Sequence, residues 1–214
     1  MKQNKPNIIG IMGTIGSGKT AIAHIMSELG AYVINADIIS REVLLPESPA
    51  SLAIRKCFGS KVMIAGTNVV NRKALAQLVF ADADALTLLN GIMHPIIRDK
   101  MHEEAENAFR IYGYELIVFD APLLVEAGLH VGLSDVWLVT CSDSTRIERI
   151  MKRDRTDAES ARARINARAS DEYLAEYATV IIQNDGSLDE LKARVTEEFI
   201  RRYGNTLRKD NAHV

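Results

Sequence analysis

Gly13-Thr14-Ile15-Gly16-Ser17-Gly18-Lys19-Thr20 fills every fixed position of the pattern G-x-x-x-x-G-K-[ST], and its surroundings decide what the pattern means. Before it, Asn7 to Met12 is short, apolar and runs into a glycine, as a buried strand does. After it, Ala21, Ile22, Ile25, Met26 and Leu29 recur three and four apart, the period of a helix with one apolar face. A glycine-rich turn between strand and helix lets the backbone close around a polyphosphate with its amides aimed inward, and the helix start adds partial positive charge. In that setting Lys19 is expected to reach the outer phosphates of a nucleoside triphosphate, ATP first among them, and the Thr20 hydroxyl to ligate Mg²⁺. A glycine turn with an incidental lysine has no reason to meet all of these conditions at once.

Working outward, Ala31 to Ile34 has strand character, as do Leu116 to Phe119, Val136 to Cys141 and Thr179 to Ile182. The middle two of these runs are apolar throughout, as parallel strands covered on both faces are. With the first strand this makes about five, alternating with helices, so the fold class is α/β: a doubly wound parallel sheet that binds ligands beyond the carboxyl ends of its strands. From Ser40 to Phe109 the periodicity is mostly helical, with Ser48-Pro49 as a helix start. The last helix opens on the capping box Ser187-Leu188-Asp189-Glu190 and is expected to reach about Tyr203. There is no repeat, low-complexity tract or Gly/Ser linker, which predicts one domain over residues 1–204, with a helical insertion at about 41–112, a lid at about 143–172 and a polar, frayed tail from 205 to 214.

Composition narrows the partners. Of 214 residues, 47% are hydrophobic, enough to bury a full core, and the net charge of -2 with a pI near 6.2 supplies no basic field for nucleic acid or an anionic membrane. No apolar run approaches the roughly 20 residues that cross a bilayer, and the first residues lack the apolar core of a signal peptide, so a cytoplasmic protein is expected. Cys57 and Cys141 are too few and too far apart for a zinc site or a disulfide framework, and both are expected to be reduced core residues.

Other residues carry candidate chemistry. Asp120 ends the run Leu116-Ile117-Val118-Phe119, where a carboxylate behind a phosphate-bound Mg²⁺ is needed; a turn cap before Pro122 is the alternative. Asp37 follows the second strand and could take the proton of an attacking hydroxyl, or simply cap the helix beginning near Ile38. Arg41, four residues on, shares its helical face and could hold an anionic substrate beside it. Arg146, Arg149 and Arg153 recur on one face of a predicted helix, as a phosphate clamp or lid would require, although such runs are also solvated faces paired with neighbours such as Glu148 and Asp154. His94 before Pro95 suits a helix end or a packing role.

Together these motifs resemble the dephospho-CoA kinase family over nearly the whole chain. The resemblance rests on Gly10 to Thr20, Asn35-Ala36-Asp37 continuing to Arg41-Glu42-Val43, Phe58-Gly59, Arg72 with Leu75 and Phe80, His94-Pro95, Pro122-Leu123-Leu124-Val125-Glu126 and Asn184-Asp185-Gly186-Ser187. It implies transfer of the ATP γ-phosphate to the ribose 3′-hydroxyl of dephospho-CoA with Mg²⁺, by a monomer or weak homo-oligomer. It also implies Asp37 as catalytic base beside Arg41, Arg149 and Arg153 in a lid, substrate contacts at Pro122, Leu123 and Glu126, and an adenine-side place for Asn184. A helix N-terminal position would explain Glu126 equally well, and capping would explain Asn184 to Ser187. Three positions depart from the family pattern: Thr14 stands where a second glycine is usual, Asn35 replaces an aspartate, and Arg168 replaces a frequent glutamine. A nucleoside or nucleotide kinase, or a nucleotide-dependent switch, would share the phosphate loop and differ in needing another acceptor or none.

Overall fold

The structure, a computed structural model, describes residues 5–167 and 169–210, with side chains to residue 206; Arg168 and the last four residues of the expected tail lie outside it. The chain divides into two compact units, one built from the residues up to Ile34 together with Glu104 onward, the other from Asn35–Glu103.

The first unit carries a five-stranded sheet: β1 (Asn7–Gly13), β2 (Tyr32–Asn35), β3 (Leu116–Asp120), β4 (Asp135–Thr140) and β5 (Val180–Gln183), in the order β2-β3-β1-β4-β5. β1 pairs parallel with both β3 and β4, and β4 parallel with β5. All five strands fall within a residue or two of the expected stretches, and the α/β doubly wound class holds. Interior β3 is buried at every position, whereas edge strand β5 alternates buried and exposed along Val180-Ile181-Ile182-Gln183, leaving the apolar Ile181 exposed.

Two helices cover one face of the sheet. On α1 (Lys19–Glu28) the apolar positions three and four apart bury Ile22, Ile25 and Met26; on α9 (Leu188–Asp210) Leu191, Val195, Phe199 and Tyr203 recur every fourth residue. These side chains form one core with Ile9, Ile11, Val118, Trp137 and Val139. The expected capping box opens α9: Ser187 N–H donates to Glu190 Oε2 at 2.8 Å and Glu190 N–H to Ser187 Oγ at 3.3 Å. Near its other end, Asp135 accepts from Thr179 Oγ1 at 2.6 Å, from Arg202 Nη1 at 2.9 Å and from the Tyr203 hydroxyl, fastening α9 to the start of β4. The helix continues to Asp210, past Tyr203 where the sequence pattern stops.

The second unit holds α2 (Ala36–Glu42), α3 (Pro49–Phe58), a short 3₁₀ turn at Ser60–Val62, α4 (Arg72–Ala81) and most of α5 (Ala83–Tyr112). Ser48 caps α3 as expected, its hydroxyl accepting from Ser51 N–H at 3.1 Å. Two expectations are corrected. His94-Pro95 does not end a helix, since α5 runs through it with Gly91 four residues before the proline, and half-buried His94 keeps the packing role that is its other reading. Cys57 is not a core residue; it lies on the exposed side of α3, while Cys141 is buried, and both thiols are free.

Candidate active site

The site grows from the turn between β1 and α1. Gly16 has φ +82° and Gly18 φ +98°, conformations that L side chains rarely adopt. At Gly18 the reason is also steric, because a methyl group there would run into the Asn184 side-chain nitrogen. Gly18 is the N-cap of α1 and offers it no side chain, and no acidic residue lies in the first turn. By contrast α2, α3, α4, α6 (Asp143–Asp154), α7 (Ala158–Asn166) and α8 (Asp171–Ala175) each have a side-chain cap. The opening amides of α1 therefore remain for a ligand, and the helix dipole favours an anionic one. Ser17 is fully buried in the loop, and its Oγ has no partner. Positive-φ glycines, uncapped amides and an unused hydroxyl fit a polyphosphate, as a nucleoside triphosphate carries.

Lys19, 14% exposed, turns its ammonium onto the carboxylate of Asp120, which is 3% exposed at the end of β3. Sequence reasoning assigns Lys19 to the outer phosphates and Asp120 to the Mg²⁺ bound there; in the structure the two side chains pair with each other. Thr20 is exposed at the start of α1. A hydroxyl and a carboxylate are the hard oxygen donors that Mg²⁺ takes.

Residues from distant parts of the chain brace the loop. Asn184, 5% exposed, donates from Nδ2 to the Ser17 carbonyl at 2.7 Å. Arg149 donates to the Gly16 and Ser17 carbonyls and to Asn184 Oδ1, each at 3.4 Å. The three arginines expected on one face of α6 thus separate in role. Arg149 lies on the loop. Arg146 is buried and bonds the Cys141 carbonyl at 3.1 Å and Asp171 Oδ2 at 2.5 Å. Arg153 is exposed and paired with Asp154 at 2.7 and 2.9 Å. Burial pushes the Arg146 guanidinium toward losing its proton, but the Asp171 carboxylate more than offsets this and holds it above its ordinary value. Burial also raises the Cys141 thiol, against the pull of Arg146. Beside Asn184, the Asp185 carboxylate is held well below the usual range by the Ser142 N–H that it accepts at 2.8 Å at the start of α6.

Pro122 to Glu126 folds as successive turns, with Ala127 N–H donating to the Leu123 carbonyl at 2.9 Å. Pro122 and Glu126 are exposed and Leu123 half-buried. Glu126 therefore does not stand at a helix N-terminus, and that explanation of it falls.

In the second unit, Asn35 caps α2, its side-chain oxygen accepting from Asp37 N–H at 2.9 Å and Ile38 N–H at 3.2 Å. Asn35 does the capping that Asp37 was a candidate for, and Asp37 is exposed in the first helical turn with Arg41 one turn further along. Sequence reasoning missed Asp171 and the grip of Asn184 on the loop. Ser170-Asp171-Glu172 signals a helix start and nothing more, and no local pattern shows that its carboxylate reaches Thr14.

Comparison with known proteins agrees with this geometry. Residues 7–190 match the family model described as dephospho-CoA kinase. The dephospho-CoA kinase of Moorella thermoacetica is 37% identical over 88% of this chain and 88% of its own length. That of Geobacter sulfurreducens is 36% identical over 92% of this chain and 99% of its own. The solved dephospho-CoA kinase of Campylobacter jejuni superposes with a TM-score of 0.68 at 27% identity, covering 94% and 99% of the two chains. The phosphate loop of β1 and α1, the five-stranded sheet and these matches agree, and the chain belongs to the dephospho-CoA kinase family.

Proposed function

We propose that the chain moves the γ-phosphate of Mg²⁺-ATP onto the ribose 3′-hydroxyl of dephospho-CoA, giving CoA and ADP, and that its residues divide the work as follows. The amides of Gly13 to Thr20 cradle the polyphosphate, and Lys19, which pairs with Asp120 in this structure, reaches the outer phosphates. Thr20 and Asp120 would hold Mg²⁺, which neutralises charge on the phosphates. Asp37 takes the proton of the acceptor hydroxyl, with Arg41 holding an anionic group of the substrate. Pro122, Leu123 and Glu126 line the acceptor side, and Asn184 the adenine side while it braces Ser17. Arg149 already lies on the loop; Arg153 must exchange Asp154 for phosphate to act with it.

Most of the rate comes from positioning and preorganised charge, because phosphoryl transfer asks little covalent work of the protein. The observation that carries the nucleotide part is the α1 N-terminus, left without a side-chain cap inside a loop of positive-φ glycines. We take the chain to be a cytoplasmic monomer or weak homo-oligomer without nucleic-acid or membrane partners; the net charge of -2 supports the last of these, since it supplies no basic field for an anionic polymer or surface.

The test of the base is Asp37→Asn. The account expects turnover to vanish while Mg²⁺-ATP affinity, read by calorimetry, stays within about twofold of the parent. Loss of both together would make Asp37 a structural or metal-linked residue.

A further inference from the structure

Thr14, the second residue of the phosphate loop, is 7% exposed, and its hydroxyl donates to Asp171 Oδ1 at 3.1 Å. The other oxygen of that carboxylate accepts from Arg146 Nη2 at 2.5 Å. Arg146 is itself 4% exposed and passes against the loop: a methyl group at Gly16 would stand 3.0 Å from its Cγ and 3.1 Å from its carbonyl. The three side chains close a ring, from loop to α8 through Thr14, from α8 to α6 through Asp171, and from α6 back to the loop at Gly16. The reaction above uses the Thr14 backbone and leaves its hydroxyl without a task.

We propose that Asp171 is a positioning residue for nucleotide binding, holding the Thr14 side chain on the α8 side of the loop and so keeping the loop amides in the geometry that accepts a polyphosphate. A threonine side chain has several staggered wells, and a bond to an ionised acceptor is strong enough to select one of them. A carboxylate beside an anion-binding loop would by itself repel ATP. Arg146 removes that objection, since its buried guanidinium neutralises Asp171 where the two meet. The ring therefore accounts for three features together: a side chain larger than hydrogen at the second loop position, a buried arginine that does not face phosphate, and an acid at the start of α8.

The inference rests on ATP occupying this loop, and the experiment separates the two claims. Mg²⁺-ATP dissociation constants are measured by calorimetry for the parent chain, Thr14→Val, Thr14→Ser, Thr14→Gly, Asp171→Asn and the double variant Thr14→Gly/Asp171→Asn. Near-ultraviolet dichroism of Trp137, the single tryptophan, packed edge-on to Phe199, reports the fold in each. Thr14→Val is expected to bind about tenfold more weakly, the loss of one bond to a charged group, while Thr14→Ser restores the donor and most of the affinity. Asp171→Asn weakens binding when Thr14 is present and adds no more than about twofold when position 14 is glycine. If Asp171→Asn does not fold, because Arg146 loses its partner, the valine and serine variants decide the matter. Parent-like binding by Thr14→Val, equal weakening by valine and serine, or an Asp171→Asn effect of the same size in both backgrounds would overturn the positioning role. A parent chain that binds no Mg²⁺-ATP would overturn the nucleotide reading and this inference with it; a parent that binds normally beside a normal Thr14→Val overturns only the latter.

Discussion

Gly18→Ala concentrates the account of the phosphate loop in one methyl group. Gly18 holds φ +98°, in the left-handed region, where an L residue costs about 1–2 kcal/mol. The added methyl also drives the Asn184 side chain off the Ser17 carbonyl, forfeiting the bond now 2.7 Å long, worth about 1 kcal/mol. The sum is roughly 2–3 kcal/mol, or about 30- to 150-fold in an equilibrium constant. Where it appears depends on the loop. If the loop keeps its shape, the cost falls on global stability and the melting temperature drops; if the loop relaxes, the cost falls on Mg²⁺-ATP binding, which must restore the shape. Calorimetric titration and thermal unfolding on the same samples capture both parts. Adding Asn184→Ala to Gly18→Ala removes the collision but restores neither the backbone conformation nor the bond to the Ser17 carbonyl, so the double variant should lie close to Gly18→Ala alone. Parent-like affinity and melting temperature in Gly18→Ala would refute the reasoning, since neither the backbone nor Asn184 would then be constrained as described.

Two further predictions follow from the same region. Lys19→Ala should lower kcat by at least about 10²-fold, as removal of a preorganised donor does, and near-normal turnover would remove Lys19 from the mechanism. Asp185→Asn tests the carboxylate held below its ordinary range by the Ser142 N–H. Its folded-state pKa lies below the unfolded value near 3.8, so it contributes stability that is present above about pH 4 and is lost as pH falls below that value. Acid unfolding curves should therefore show the parent more stable than the variant near neutrality and the two converging in strong acid; a constant gap down the whole range would contradict the assignment.

Much of this molecule was legible because its chemistry is local. The loop from Gly13 to Thr20 carries its own diagnosis, since strand, glycines, lysine and helix follow one another without interruption. The buried runs 116–119 of β3 and 136–139 of β4 are short and apolar throughout, and Ser48, Ser187 and Glu190 signal helix starts within three residues of where they act. What escaped was non-local. Asp171 and Thr14 are neighbours only because β4, α6 and α8 fold back on β1, and no periodicity encodes a bond between residues so far apart in the chain. Pro95 misleads because proline normally breaks a helix, and here α5 continues through it. Cys57 misleads because cysteine is usually buried, while the face of α3 that it occupies is set by Ala50, Ile54 and Phe58 turning inward on the other side. The resemblance at Asn35 marked a departure without explaining it; the structure gives the side chain a task as the cap of α2, which leaves the carboxylate of Asp37 out of the capping bonds.

The central claim is that this chain phosphorylates dephospho-CoA. The most direct measurement is ADP release by the purified protein in Mg²⁺-ATP, with and without dephospho-CoA, together with the mass of the product. The account predicts release that depends on the acceptor and a product heavier by one phosphoryl group. Release unchanged by dephospho-CoA, with no product of that mass, would contradict it.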